Sequence, residues 1–368
     1  MPRVSFVSVT KNFGKLVALE GVSFGVSDGQ YLCILGPTGS GKTTLLKLLA
    51  GLLKPDEGTI YFDGKPVNNV AAQDRNAVYV PQQYALFPHL TVLENVAFGP
   101  LAKGKPASIA LAAASTALDL VRLSWRAQAL PNELSGGMQQ RVALARGLAS
   151  GAGLLLLDEP LGALDARLRL DLRHKLRDLV KQSGFTAIHV THDQDEAMSV
   201  GDEIMILRNG KLQDYGPQRR VYRRPANIFV ANMIGGASFL EGIVDTTVGE
   251  TALINLRGGL TIQAPSKTLT LTDPVILALR KERVRISRDR LEMDNVFKGE
   301  IRSVRFLGNS KEYLIRISNG DTIASRQFAE SEDGAFNVGE EVLVGFLESD
   351  ALVFEYPAEG LRKELEVA

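Results

Sequence analysis

A glycine-rich turn between an apolar strand and a helix constrains this chain more than any other feature: residues 35–45 read LGPTGSGKTTL. The preceding run 31–35 is apolar, and residues 43–53 have a helical pattern. Gly36, Gly39, Gly41, Lys42 and Thr43 fill G-x-x-x-x-G-K-[ST], whose glycines let successive backbone N–H groups turn inward toward phosphate oxygens. The helix start adds partial positive charge, Lys42 reaches the outer phosphates, and the Thr43 hydroxyl is a ligand for Mg²⁺. The turn reads as a nucleotide-phosphate site, and the rest of the chain is best read around it.

Two carboxylates belong with it. Residues 154–160, LLLLDEP, end an apolar strand in Asp158 and Glu159. In a parallel α/β sheet ligands gather at the carboxyl ends of strands, where the phosphate turn also lies. Asp158 is then placed to hold Mg²⁺ and Glu159 to polarise an attacking water. The strand 186–190 ends in the same way, at Thr191 and His192, and His192 is placed to touch a γ-phosphate. His89, His174 and His189 have no such setting and read as surface or packing residues.

Residues 134–141, LSGGMQQR, form a second glycine-rich entry to a helix over 138–149. Standing alone, Ser135 would read as a plain N-cap. With Gly136 and Gly137 beside it, this start is a second anion-binding helix end, yet the chain has one phosphate-loop lysine. That asymmetry suggests a nucleotide held between the phosphate loop of one copy and the Ser-Gly-Gly helix of another.

At 368 residues the chain has room for two or three domains. Lys+Arg and Asp+Glu both number 42, so no overall charge argues for nucleic acid. One cysteine, Cys33, excludes an internal disulfide framework, fits a reducing compartment and reads as a small buried hydrophobe. Residues 1–9 alternate as a strand does, with no secretory signal, and no apolar run is long enough to cross a bilayer. A membrane role would come through a partner.

Strand–helix alternation up to residue 234 predicts an α/β domain with a largely parallel sheet. Short strands lie over 4–26 with turns at 12–14 and at Gly21, and Phe13 is an exposed aromatic in the first turn. Pro81, Pro88 and Pro100 predict a loop over 82–100 with a short helix at 92–97, followed by a helix over 108–121. A last helix over 225–234 closes at Gly235 and Gly236. Beyond it, ten short strands with Gly, Asn and Asp turns suggest one or two small barrels.

These motifs resemble the ATP-binding subunits of ATP-binding-cassette (ABC) importers. GPTGSGKTT is similar to the family's Walker A motif, LLLLDEP to Walker B with its glutamate, and LSGGMQQR to the signature. GALD at 162–165 resembles the D-loop, THD at 191–193 carries the switch histidine, and Gln82 in VPQQYALFPHL is the Q-loop glutamine. Pro81 departs from the pattern, where Phe is common. PANIFVANMIGG at 225–236 resembles the connector into a C-terminal β domain.

The resemblance implies an α/β, P-loop NTPase fold of the ABC type over 1–235, with a helical subdomain about 83–150. An all-β, OB-like domain of the TOBE/MOP type follows over 236–368, regulatory and dimer-supporting. ATP would be held by Phe13 on the adenine, by Gly36, Pro37, Thr38, Gly39, Ser40, Gly41, Lys42, Thr43 and Thr44, and by Ser135, Gly136, Gly137 and Asp165. Thr43, Gln82 and Asp158 would serve Mg²⁺; Glu159, His192 and Gln82 would be catalytic. Implied partners are transmembrane permease subunits, met by the surface from residue 82 to about 121, a second and identical ATP-binding subunit, and indirectly an extracytoplasmic solute-binding protein. No nucleic acid is implied, and the expected place is the cytoplasmic face of the cell membrane.

ASFLEG after the connector is more like the polyamine, ferric-iron and phosphonate group; sugar-type subunits usually carry Ser-Pro-x-Met-Asn where this chain reads GGASF. A sugar importer is the nearer alternative. A soluble cassette ATPase acting on ribosomes or DNA would be expected to carry paired cassettes or a coiled-coil insertion, which this sequence lacks. A nucleotide-gated regulatory module with a soluble partner is a further alternative, and co-purification separates it from a transporter.

Overall fold

The computed structural model describes residues 2–266, 270–328 and 335–366. Contacts divide the chain into two compact units, with the break between Val221 and Tyr222.

The first unit opens with a long hairpin, β1 (Val4–Phe13) and β2 (Leu16–Val26); Met1 lies outside the described residues. Gly21, expected at a turn, is inside β2, where its left-handed backbone sits in an irregular stretch of the ladder. β3 (Tyr31–Leu35) is buried at every residue and leads through the glycine-rich loop into α1 (Lys42–Ala50). That helix ends at Ala50, where Gly51 takes the left-handed conformation and caps it. β4 (Glu57–Phe62) and β5 (Lys65–Pro66) complete a four-stranded antiparallel sheet in the order β2-β1-β4-β5.

β6 (Ala77–Val80) then opens the path to three helices, α2 (Val92–Ala102), α3 (Ala107–Leu120) and α4 (Gly136–Ala149). α2 is longer than the expected 92–97 because Pro100 is accommodated within it, its ring buried against neighbours, rather than ending it. Thr91 and Glu94 form a reciprocal capping box at its start. Asn95, fully buried, donates to the carbonyls of Phe87, Leu90 and Thr91 and accepts from Phe87 N–H, so one side chain shapes the loop before α2. α4 starts at Gly136 rather than 138, which makes Gly136 and Gly137 its first turn.

β7 (Leu154–Asp158), α5 (Ala166–Ser183), β8 (Thr186–Val190), α6 (Gln194–Val200), β9 (Glu203–Arg208) and β10 (Lys211–Pro217) finish the unit. The second sheet has the order β10-β9-β3-β8-β7-β6, parallel except for β10. β3, β7 and β8 are buried along their whole length, which is why each reads as a continuous apolar run without alternation. One core cluster joins both sheets through α1: Phe6, Leu19, Ile34, Leu45, Leu49, Leu156 and Val190 belong to it. The carboxyl ends of β3, β7 and β8 consequently form one rigid platform for three loops.

A short helix, α7 (Gln218–Arg223), crosses the break, and the second unit continues with α8 (Ile228–Met233). The expected helix over 225–234 is thus shorter, and it is not the last: α9 (Leu361–Leu365) follows the strands. The strands are β11 (Ser238–Val248), β12 (Thr251–Leu256), β13 (Thr261–Pro265), β14 (Pro274–Leu279), β15 (Arg285–Ser287), β16 (Asn295–Phe306), β17 (Ser310–Ile317), β18 (Thr322–Phe328), β19 (Glu341–Phe346) and β20 (Ala351–Glu355). They form two five-stranded antiparallel sheets, β13-β12-β11-β14-β20 and β15-β19-β16-β17-β18, around one apolar core containing Ile254, Leu277, Ile301, Ile315 and Phe346. Arg280 ties α8 to this unit by donating to the carbonyls of Ala231, Ile234, Gly236 and Tyr222, while its guanidinium stacks on the Tyr222 ring.

Candidate functional site

The phosphate loop owes its path to glycine at two places. A Cβ on Gly36 would lie 2.3 Å from the Leu207 carbonyl oxygen, and one on Gly41 would lie 2.4 Å from that of Ala18. Gly41 also has φ +100°, a conformation that a side chain would strain. The loop is therefore pressed between β2 and β9 and turned outward. α1 begins at Gly41 with no side-chain cap, so its first N–H groups are free of protein side chains at this end.

Lys42 folds back over the loop and donates to the carbonyls of Gly36 and Pro37, each at 2.8 Å. Its burial lowers the ammonium pKa, against the pull of Glu159 and Asp158, which raise it. Ser40 Oγ is buried and has no hydrogen-bond partner among the described residues. An orphaned hydroxyl, an uncapped helix start and a half-desolvated ammonium are groups that a phosphate oxygen satisfies together. A nucleotide phosphate chain fits this loop.

β7 delivers the carboxylates. Asp158 is 2% exposed, and burial raises its pKa, with Glu159 pushing in the same direction. Its Oδ1 accepts from the Thr43 hydroxyl at 3.2 Å, and its Oδ2 accepts from the Tyr79 hydroxyl at 2.9 Å. Thr43 and Asp158 are hard oxygen donors side by side, which suits Mg²⁺, an ion that takes few protein ligands and completes its shell with water and phosphate. The described residues hold no group of three or more His, Cys, Asp or Glu that could hold a metal ion.

Glu159 leaves the strand with φ +48°, the left-handed region, which turns its side chain into the site. Gln82 Nε2 donates to Glu159 Oε2 at 2.9 Å, and His192 Nδ1 lies 3.5 Å from Glu159 Oε1. The His192 side chain is 67% exposed, so it can reach a ligand above the strand ends. Three loops from three neighbouring parts of the sheet thus meet at one carboxylate.

A cleft of about 620 Å³ is lined by Phe13, Thr38, Lys42, Gln82, Glu159 and His192, with Gly39, Ser40, Gly41, Thr43 and Thr44 between them. Phe13 is half exposed at its rim, with the Lys11 ammonium 5.6 Å from its ring centre. Gly36 and Pro37 lie beneath the loop, buried, and Asp158 lies under Thr43. Ser135, Gly136, Gly137 and Asp165 do not line the cleft. Ser135 caps α4 by accepting from Met138 N–H, and Asp165 caps α5 by accepting from Leu168 N–H. The two groups of sequence-derived residues are therefore apart within one chain.

Two residues to which the sequence reading gives no role take part. Tyr79 sits on β6, where its register beside Leu156 of β7 brings its hydroxyl to Asp158. Gln140 on α4, 5% exposed, donates to the Glu159 carbonyl and accepts from Ala163 N–H. Tyr79 has no local sequence signal and acts through strand order; Gln140 lies within LSGGMQQR, but what it touches is set by helix packing. Beneath His192, Thr191 donates to Glu196, whose other oxygen lies 3.4 Å from the buried His189.

The sequence profile of the "ABC transporter" family matches residues 19–162, and that of the "TOBE domain" matches residues 277–354. The chain is 39% identical to the spermidine/putrescine import ATP-binding protein PotA of Rubrobacter xylanophilus, over 93% of this chain and 91% of that one. It is 42% identical to the Fe(3+) ions import ATP-binding protein FbpC of Brucella abortus, over 86% of this chain and 88% of that one. Among solved structures, the dimeric structure of MJ0796, a bacterial ABC transporter cassette, matches with a TM-score of 0.55 and 34% identity, over 59% of this chain and 99% of that one. A post-hydrolysis dimer of the same cassette bound to ADP and Pi matches equally well.

Proposed function

This chain belongs to the ATP-binding, ATP-hydrolysing subunits of ABC importers, and from that premise we propose that two copies close on two nucleotides to drive solute uptake through membrane-embedded permease subunits. One observation carries the reading: the cleft gathers the phosphate loop, Gln82, Glu159 and His192 of one chain, while Ser135–Gly137 caps a helix outside it. A second chain would supply that helix start to the exposed side of the nucleotide, with Asp165 at the same junction. The cassette MJ0796, solved as a dimer, supports this arrangement.

In each site the loop amides and Lys42 bind the phosphates, and Phe13 stacks on the adenine. Thr43, Asp158 and Gln82 would hold Mg²⁺, which when bound neutralises charge on the transferring phosphoryl group. Glu159 accepts the proton of the attacking water, held in place by Gln82, and His192 contacts the γ-phosphate. The reaction needs little covalent work from the protein, so positioned groups on a rigid sheet suffice. Gln82 lies on the loop that Asn95 shapes, and that loop with α2 and α3 is the surface offered to the permease. Phe98, Leu101, Ile109 and Leu111 are exposed there.

No helix among the described residues is long and apolar enough to cross a membrane, so attachment to the cytoplasmic face would run through the permease. The β unit is regulatory and dimer-supporting. The solute is a polyamine or ferric iron, the cargoes in the relatives' names, with phosphonate in the same group. The test is purification with the membrane subunits, then measurement of ATP hydrolysis with candidate solutes and their binding proteins. Stimulation by spermidine, putrescine or ferric iron is expected; recovery with ribosomes or DNA instead of membrane subunits would overturn the reading.

A further inference from the structure

The carboxylate assigned to the metal has two oxygens in different company. Asp158 Oδ1 faces the Thr43 hydroxyl at 3.2 Å, while Oδ2 accepts from the Tyr79 hydroxyl at 2.9 Å. At 2% exposure Asp158 has almost no access to water, so a partner lost from Oδ2 would have no solvent replacement. β6 and β7 pair in parallel, with Tyr79 beside Leu156 and Val80 beside Leu157, so backbone hydrogen bonds fix where the phenol stands. The ring is half-buried.

We propose that Tyr79 is a positioning residue for the metal site: its O–H anchors Asp158 Oδ2 and leaves Oδ1, beside the Thr43 hydroxyl, as the oxygen offered to Mg²⁺. The proposal rests on the assignment of Asp158 to the metal. Partners of this kind stop a ligating carboxylate from rotating and leave the metal to bind a prepared oxygen rather than reorganise one. Tyr79 does not line the cleft, so its effect falls on metal affinity and not on nucleotide binding without metal.

The test uses the full chain as wild type, Tyr79→Phe and Asp158→Asn. Two readouts do not depend on hydrolysis: Mg²⁺ titration of the binding of a fluorescent, non-hydrolysable ATP analogue, and electron paramagnetic resonance of Mn²⁺ bound with that analogue. For Tyr79→Phe the metal midpoint rises by about 10-fold or more, within the ~10–100-fold span typical of second-layer ligands. Analogue affinity in EDTA stays at the wild-type value, and thermal stability falls because Asp158 Oδ2 loses its donor without a solvent replacement. If Tyr79→Phe is not recovered folded, Tyr79→Met, which also lacks the hydroxyl, repeats the measurement. A wild-type metal midpoint in the hydroxyl-less variant, with a shifted one in Asp158→Asn, overturns the role of Tyr79 alone. So does an equal loss of affinity with and without metal. An unshifted midpoint in Asp158→Asn overturns the metal assignment itself, and the proposal with it.

Discussion

Gln140 and Glu159 are joined by one hydrogen bond, side-chain amide to main-chain carbonyl at 2.8 Å, and the same Gln140 side chain accepts from Ala163 N–H at 2.9 Å. The pair connects the first turns of α4 to the bend that holds Glu159 at positive φ. Gln140→Leu removes both part-buried bonds, at a cost of about 1–3 kcal/mol in stability for the two together. Because the Glu159 carboxylate loses its fixed approach, turnover falls further than stability does, by up to ~10²-fold for a shift of the order of 1 Å. Calorimetric ATP affinity stays near wild type. Hydrolysis assays beside binding isotherms check the split; equal losses in both would mean that Gln140 serves the fold alone.

Glu159→Gln keeps the size of the side chain and removes its proton-accepting charge. ATP binding persists, the closed dimer is longer-lived, and turnover drops by about 10²–10⁴-fold, the usual contribution of a general base. Size-exclusion chromatography in ATP shows the dimer, and phosphate release gives the rate. Wild-type hydrolysis in this variant would remove Glu159 from the chemistry.

The functional residues readable from sequence are those whose chemistry is local. The phosphate loop is legible because Gly36, Gly39 and Gly41 fall within one short stretch, and two of them have no room for a Cβ. Asp158 and Glu159 are legible because a strand buried on both faces stays apolar until it reaches the site. The contacts of Tyr79, Gln140 and Asn95 are not legible, since strand pairing and helix packing decide what they touch, even though Gln140 lies within LSGGMQQR. The same holds for one helix end: a buried ring lets α2 run through Pro100. The antiparallel placement of β4 beside β1, outside the parallel sheet, is likewise a tertiary choice.

Lys42→Ala weakens nucleotide binding itself. Its ammonium donates to two loop carbonyls at 2.8 Å and is partly desolvated, so a charge-assisted bond to phosphate is strong there. The loss is about 1.5–3 kcal/mol, or roughly 10–100-fold in Kd, for one charged hydrogen bond. Isothermal calorimetry with ATP measures it directly, and undiminished affinity would separate Lys42 from the phosphate role.

Arg75 is 4% exposed and closes the far end of α1 by donating to the carbonyls of Leu48, Leu49, Val67 and Val70. Arg75→Met fills much of the space but leaves those acceptors without a charged donor, at a cost of at least about 2 kcal/mol. Arg75→Lys recovers only part of it, because an ammonium cannot span the same four oxygens as a planar fork. Urea midpoints should rank wild type, Arg75→Lys, Arg75→Met; a lysine variant equal to wild type would show that charge alone suffices.

His189 makes stability depend on pH. It is fully buried, bonded to the Tyr31 hydroxyl at 2.9 Å, and faces the Glu196 carboxylate at 3.4 Å. Burial pulls its pKa below the ordinary 6.5, the Arg173 charge acts in the same direction, and Glu196, Asp158 and Glu159 oppose. The unfolded chain therefore binds this proton more readily than the folded one. The stability His189 contributes is complete above the unfolded pKa of 6.5 and is lost as pH falls below it. The slope from this one group cannot exceed about 1.4 kcal/mol per pH unit. His189→Asn keeps a polar partner for Tyr31 but does not titrate, so the gap in stability between the two proteins narrows on acidification. Urea denaturation at about pH 7.5 and about pH 5.5 measures the gap at each end. A constant gap would mean that His189 stays neutral in both states and only fills space beneath the switch loop.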